Sequence, residues 1–245
     1  MPKKEPLKGV IDRSLNYGRH LMDTYLGLAN KGSMKVVLDI GAGWGNDLLL
    51  ARAHNPNAEL YGIEIYPEYQ EELRQKGMTV HPLNIELERF PFQDESVDVV
   101  IANQVLEHIK EIFWVFHEST RVLRVGGSLI IGVPNLASLH NRLLLGFGKQ
   151  PTCIQNHSAH VRGFTKNDLL KFLGVCFAGG YRLIRFGGSN FYPFPSAIAR
   201  SLASLLPSMA WGIFLLLEKE REYKNEFTMH PRACQLETNF YLGNE

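Results

Sequence analysis

From residue 35 onward, short runs of Val, Ile and Leu recur at intervals that leave room for a helix between them. "KVVLDIG" (35–41), "ELYGIEI" (59–65), "TVHPLNI" (79–85), "VDVVIANQ" (97–104) and "GSLIIGVP" (127–134) are all of strand length. Apolar composition without strict alternation marks strands covered on both faces, as in a parallel sheet. The stretches 45–54, 67–76 and 105–124 are helix-length. In the last of them Val105, Leu106, Ile109, Ile112, Phe113 and Phe116 recur three or four residues apart and predict one apolar helix face. Such alternation specifies an α/β fold: a doubly wound, mostly parallel sheet with helices on both faces and right-handed crossovers. Two later runs, 181–191 and 211–219, raise the expected strand count to seven. Thr165 and Asp168 fit a capping box that opens another helix before them. Residues 9–31 have a helical pattern ahead of the first strand.

Composition narrows the class without naming a function. With 45% hydrophobic and 21% charged residues over 245 positions, one domain with a sizeable core is expected. Basic and acidic residues nearly cancel (26 against 25), so net charge recruits no nucleic acid. "MPKKEPLKG" lacks an apolar stretch behind its lysines, which argues against a secretory signal. The three cysteines, Cys153, Cys176 and Cys234, show no metal-binding or disulfide spacing, and a cytoplasmic setting is expected. The run from Ser201 to Leu217 carries no charge, but Pro207 interrupts it. It reads as a helix to about Leu206, a turn, and then a buried strand. Peripheral membrane contact through 192–217 and a membrane span stand as alternatives.

The loop Gly41-Ala42-Gly43-Trp44-Gly45 follows the first strand. Glycine there allows φ > 0 and close approach of a ligand to the backbone, at the sheet edge where ligands of open α/β folds dock. A dinucleotide fingerprint needs its third glycine three places after the second. Here Asn46 holds that place, and the third glycine comes one residue early. Asp39, two residues before Gly41, would repel a pyrophosphate and attract an ammonium group. Glu64 ends the second strand and is placed to accept hydrogen bonds from both hydroxyls of a ribose. Ile65 can pack on an adenine face, with Asn84 and Ile85 offering an amide and a second apolar wall. Asn103 and Gln104 end the fourth strand beside the expected reacting centre.

"VLDIGAGWG", "GIEI", "FPFQDESVDVVIANQVLEH" and "RVLRVGGSLIIGVPN" together resemble successive motifs of the class I S-adenosylmethionine-dependent methyltransferases, in the methyltransferase type 11 branch. The resemblance covers about residues 35–135. It implies a seven-stranded Rossmann-like sheet with an antiparallel last strand, S-adenosyl-L-methionine as cofactor, and a site lined by Asp39, Gly41, Ala42, Gly43, Gly45, Glu64 and the 84–85 pair. Many relatives have an aspartate where Asn84 stands; an amide can still donate and accept at the adenine edge. By the same resemblance, residues 1–34 form a lid region in which Tyr17 and Arg19 approach the methionine carboxylate. A non-catalytic S-adenosylmethionine-binding scaffold is the alternative, and an NAD-dependent oxidoreductase is disfavoured by the glycine spacing.

The methyltransferase domain is expected over 35–221, with a C-terminal tail or flap at 222–245. Segments 135–163 and 192–210 are expected to be acceptor-side inserts, and the acceptor pocket is expected from residues 135–163 and 188–210. Their apolar and aromatic residues, among them Leu136, Leu139, Leu143, Phe147, Phe191, Tyr192 and Phe194, suit a small, hydrophobic or lipid-linked acceptor methylated on O or N. A proton-accepting base is sought in "NHSAHVRGFT", where the resemblance favours His160 over His157 and Arg162. A structural hydrogen bond locking the loop is the competing role for His160. Glu107 and His108 read as a packing pair, and no metal ligand set is assigned, since His140, His157 and His160 lack an i, i+4 pair. The oligomeric state is left open.

Overall fold

All seven apolar runs pair into one sheet in the computed structural model, which describes residues 13–29, 34–236 and 238. In chain order the elements are α1 (Arg19–Ala29), β1 (Val36–Ile40), α2 (Asn46–His54), β2 (Glu59–Ile63), α3 (Pro67–Gln75), β3 (Thr79–His81), β4 (Val97–Asn103), α4 (Ile112–Val122), β5 (Leu123–Pro134), α5 (Leu139–Gly146), α6 (Lys166–Cys176), β6 (Tyr181–Ser189), α7 (Ser196–Leu205), β7 (Gly212–Lys219) and α8 (Glu226–Ala233). The sheet order is β3-β2-β1-β4-β5-β7-β6. The first five strands are parallel, and β7 runs antiparallel to both β5 and β6. Strand order reverses between β1 and β4, which makes the carboxyl ends of these two strands the place where a crevice opens.

Side chains alternate across the strands, and both faces are covered. Leu38, Ile40, Val100 and Ala102 face one core with Phe116, Leu169 and Phe177; Val37, Val99 and Ile101 face the other with Met22, Leu26 and Leu48. Double-sided burial is why these strands read as unbroken apolar runs. Each fully buried Leu, Ile or Phe contributes about 1.5–3 kcal/mol. Lys219 is a buried exception: its Nζ donates to Thr120 O (3.0 Å), Leu123 O (2.7 Å) and Glu95 Oε1 (3.0 Å).

Three elements differ from the sequence expectation for identifiable reasons. The strand expected over 79–85 leaves the ladder after His81, where Pro82 has no N–H to donate. The helix expected over 105–124 is broken into a single 3₁₀ turn, Leu106–His108, and α4. Tertiary bonds take the backbone groups it would have used. Val161 N and Arg162 N donate to Glu107 O, the Arg162 guanidinium donates to Ile109 O and Lys110 O, and Glu86 accepts from Lys110 N and Glu111 N. The expected C-terminal tail opens with α8, whose Phe227 is fully buried against Phe116, Phe172 and Phe177.

Other expectations hold in the element order. The 201–217 run divides into α7, a 3₁₀ turn at Pro207–Met209 and the buried β7. Among the described residues no helix is long and apolar enough to cross a membrane. Thr165 Oγ1 accepts from Asp168 N at the start of α6. The parts of the N-terminal helical pattern at 9–12 and 30–31, and most of the tail beyond 236, lie outside the described residues.

Candidate active site

The glycine loop leaves β1 at Gly41 and delivers the chain to α2. Gly41, Gly43 and Gly45 have φ of +71°, +50° and +71°, the left-handed region that other residues enter at a cost. Their surroundings differ. A Cβ at Gly41 would lie 2.7 Å from Val105, and one at Gly45 would lie 2.5 Å from Leu73, so both are required by packing. A Cβ at Gly43 meets nothing within 4 Å. That position is bare because it borders open space. Glu64 ties the loop to the second strand: its Oε2 accepts from Gly43 N and its Oε1 from Tyr66 N, both at 2.9 Å.

A cleft of about 920 Å³ opens at the carboxyl ends of β1, β2 and β4, within the usual range for small-molecule sites. Asp39, Gly41, Ala42, Gly43, Glu64, Ile65, Asn84, Ile85, Asn103, Gln104 and Arg19 all line it. Of the cofactor-site and proton-acceptor candidates, Gly45, His157, His160 and Arg162 do not. Gly45 sits behind the wall as the residue that starts α2. Trp44, Tyr66 and Tyr69 add an aromatic shelf, with Trp44 and Tyr69 edge-to-face at 4.7 Å.

Three carboxylates converge on this cleft, and sequence reasoning missed one of them. Asp47, in the first turn of α2, is as buried as Asp39 and Glu64. An acid two residues past the last loop glycine was the available signal, since a carboxylate at a helix start faces the loop. Asp47 Oδ1 accepts from the Arg19 guanidinium, and Oδ2 accepts from Asn103 Nδ2 at 2.8 Å. Arg19, expected to meet a ligand carboxylate, is thus seated on Asp47 and over the Tyr17 ring. Burial, and then the Asp47 charge, pushes the Asp39 carboxyl well above its usual range, with Glu64 adding to the shift and Arg19 opposing it. Acids outnumber bases on this wall, which favours a cationic guest.

Asn103 and Gln104, both in the cleft lining, each keep a buried polar atom without a partner among the described residues: Asn103 Oδ1 and Gln104 Nε2. Gln104 also has φ +57°, unusual for a residue with a side chain. Asn84 Oδ1 accepts from Glu86 N, so one end of that amide is spent on its own turn.

The histidines are arranged differently from the sequence expectation. His108 lines the cleft and His160 stands behind it, their rings 4.7 Å apart edge-to-face. His160 Nδ1 is 2.8 Å from Cys153 O, the loop-locking bond considered as its competing role. Burial pushes the adjacent Glu107 carboxyl up to about 8. Of the expected acceptor-side inserts, only Ala159 lines the cleft. Phe191 is buried in a small core with Leu15, Ala199 and Ala203, against which Leu139 packs; Leu143 and Phe147 are exposed.

Residues 38–131, the strands and loops that build this cleft, match the type 11 "Methyltransferase domain" family. That segment is similar to the S-adenosylmethionine-dependent methyltransferases. Over 103 residues this chain is 35% identical to the arsenite methyltransferase of Halobacterium salinarum, matching 40% of itself and 26% of that protein. A Mycolicibacterium smegmatis protein named "Probable S-adenosylmethionine-dependent methyltransferase" is 26% identical and matches over 93% of this chain and 86% of its own. The chain spans about a third or less of the length of several curated relatives it matches, the Halobacterium protein included. A crystal structure of a SAM-dependent methyltransferase from Archaeoglobus fulgidus shares the fold, with a TM-score of 0.56 at 16% identity over 84% of this chain and 97% of that one.

Proposed function

We propose that this methyltransferase domain binds S-adenosylmethionine in the β1/β2/β4 cleft and methylates an oxygen or nitrogen of a small acceptor of hydrophobic or lipid-linked character. The observation that carries this is the convergence of three buried carboxylates, with one guanidinium among them, on a cleft bordered by a side-chain-free Gly43. A dinucleotide pyrophosphate would be repelled there, whereas a ligand with an ammonium and a sulfonium is drawn in.

The residues present fit that ligand. Glu64 is placed to accept from a ribose diol, with Asp39 and Asp47 holding the negative field around an ammonium group. Ile65 and Ile85 offer apolar walls to a base, and Asn84 its amide. The unpartnered Nε2 of Gln104, a residue of the cleft lining, would be satisfied by a polar guest. Bound there, the cofactor supplies a methyl group on an already good leaving group, so the chain has to orient the acceptor, exclude water and remove a proton. Proton removal belongs to the corner formed by Glu107, His108 and His160, where the sequence-favoured His160 supports the cleft-lining His108.

Exposed apolar side chains on the two inserts support the acceptor class. Leu143, Leu145 and Phe147 on and after α5 are exposed, as are Ile198, Leu205 and Leu206 on and after α7. His140 and Tyr192 join the two segments, their ring centroids 5.1 Å apart. Exposed Arg142, Lys149 and Arg200 on the same segments suit peripheral contact with an anionic lipid surface. Methyl-labelled cofactor incubated with protein and cell extract tests the reading: label should move into the organic-soluble fraction. Label confined to water-soluble products would overturn the acceptor class. An absence of calorimetric binding to S-adenosylhomocysteine would overturn the proposal entirely.

A further inference from the structure

The corner beside the cleft has a donor set that packing alone does not require. Glu107, His108 and His160 each present one ligand atom, and these atoms lie within 4.8 Å of one another. Both imidazoles are oriented by the backbone. His108 Nδ1 is 3.2 Å from Ala159 O, and His160 Nδ1 is 2.8 Å from Cys153 O. A carbonyl can only accept, so each Nδ1 carries the proton and, in the neutral ring, each Nε2 is left with a bare lone pair. A histidine held at one nitrogen by a carbonyl, with the other left free, is the arrangement that metal-ligating histidines use. Between them Glu107, 2% exposed, has a buried Oε2 with no hydrogen-bond partner among the described residues. An oriented pair of imidazoles and an unsatisfied carboxylate oxygen lack a common partner.

We infer that Glu107, His108 and His160 form a divalent transition-metal site, of the zinc type, on the wall of the cleft. Two neutral imidazoles and one carboxylate are a donor set found in catalytic zinc sites, where a fourth position stays open to water or substrate. Here the open position faces the cleft, because His108 and Ala159 line it. The frame is held independently of any ion: Val161 N and Arg162 N both donate to Glu107 O, fixing the loop that carries His160 to the turn that carries the other two. Zinc bonds of about 2.1 Å at tetrahedral angles bring donors to roughly 3.3 Å from one another, so the two rings close inward on binding. His108 is exposed and His160 half-buried, which leaves room for that rotation.

Resting on the function proposed above, this assignment gives the corner its chemistry. A hydroxyl coordinated at the open position loses its proton near neutral pH and becomes the nucleophile for the methyl group. The proton passes to solvent, the new O–C bond replaces the S–C bond, and no electrons enter or leave the balance.

The test uses metal alone, so its outcome does not depend on whether the domain transfers methyl groups. Untagged protein carrying Cys234→Ser is stripped with chelator and titrated with zinc by calorimetry. The background substitution is needed because exposed Cys234 Sγ lies 3.8 Å from His230 Nε2 and could bind zinc by itself. One equivalent should bind, and visible cobalt(II) bands should report a low-coordinate site without thiolate. Glu107→Gln and His160→Ala should each weaken zinc binding by roughly tenfold or more. His160 is the safer variant for folding because it is not fully buried, and circular dichroism checks both. Absent binding in the background protein, or binding that both folded variants retain unchanged, would overturn the site.

Discussion

Glu64 shows how far single residues could be read. Its position at the end of β2, and its reach toward the loop, follow from strand length and spacing alone. Its two backbone bonds, to Gly43 N and Tyr66 N, follow only from the fold. Glu64→Gln keeps the size and removes the charge; it should weaken cofactor binding by about 1.5–3 kcal/mol, read by calorimetry with S-adenosylhomocysteine. Asp47 had a local signal in its place in the first turn of α2, whereas His108 read as a packing residue because nothing local says which face of a single 3₁₀ turn meets the cleft. A residue remote from the cleft predicts the acid behaviour of the domain. Burial, opposed by Glu118 and reinforced by Arg121, lowers His117 to about 4. The unfolded chain takes up this proton below about pH 6.5, and the folded chain only near 4. Stability linked to His117 is therefore complete above pH 6.5 and falls as pH drops toward 4. His117→Gln should flatten that loss by up to about 1.4 kcal/mol per pH unit, read from urea midpoints at pH 7 and 5.

At the level of elements, β1, β2, β4 and the loop between β1 and α2 were legible because apolar runs and glycines are local signals. The break between Leu106–His108 and α4 was not, because distant residues, Glu86 and Arg162, cause it. Likewise α8 was unreadable as core: Phe227 is an ordinary aromatic until Phe116 and Phe177 are brought beside it. The glycine loop separates two demands within one element. Gly43→Ala adds a methyl toward the cleft and should cost about 1–2 kcal/mol of stability while reducing cofactor affinity at least tenfold. Gly45→Ala collides with Leu73 and Met78 and should cost roughly 2–4 kcal/mol of stability. Thermal melts paired with calorimetric titrations distinguish the two. Equal effects on both readouts at both positions would contradict this division.

Across the whole molecule, seven strands could be counted in the sequence, but the placement of β7 between β5 and β6 rests on pairings 78 to 90 residues apart in chain position on one side and 23 to 38 on the other. Lys219 secures that placement by closing the end of α4 and the start of β5 from within the core. Lys219→Met leaves two buried carbonyls and Glu95 without their donor, and should destabilise the fold by about 2–4 kcal/mol in urea unfolding. A late strand wedged between two earlier ones also has a consequence for synthesis. A nascent chain that has emerged only to residue 211 exposes raw margins on β5 and β6 at once, each ready to recruit a stranger. Chains cut before Gly212 should accumulate as insoluble aggregate, whereas chains that carry β7, which fills the gap between those margins, should not.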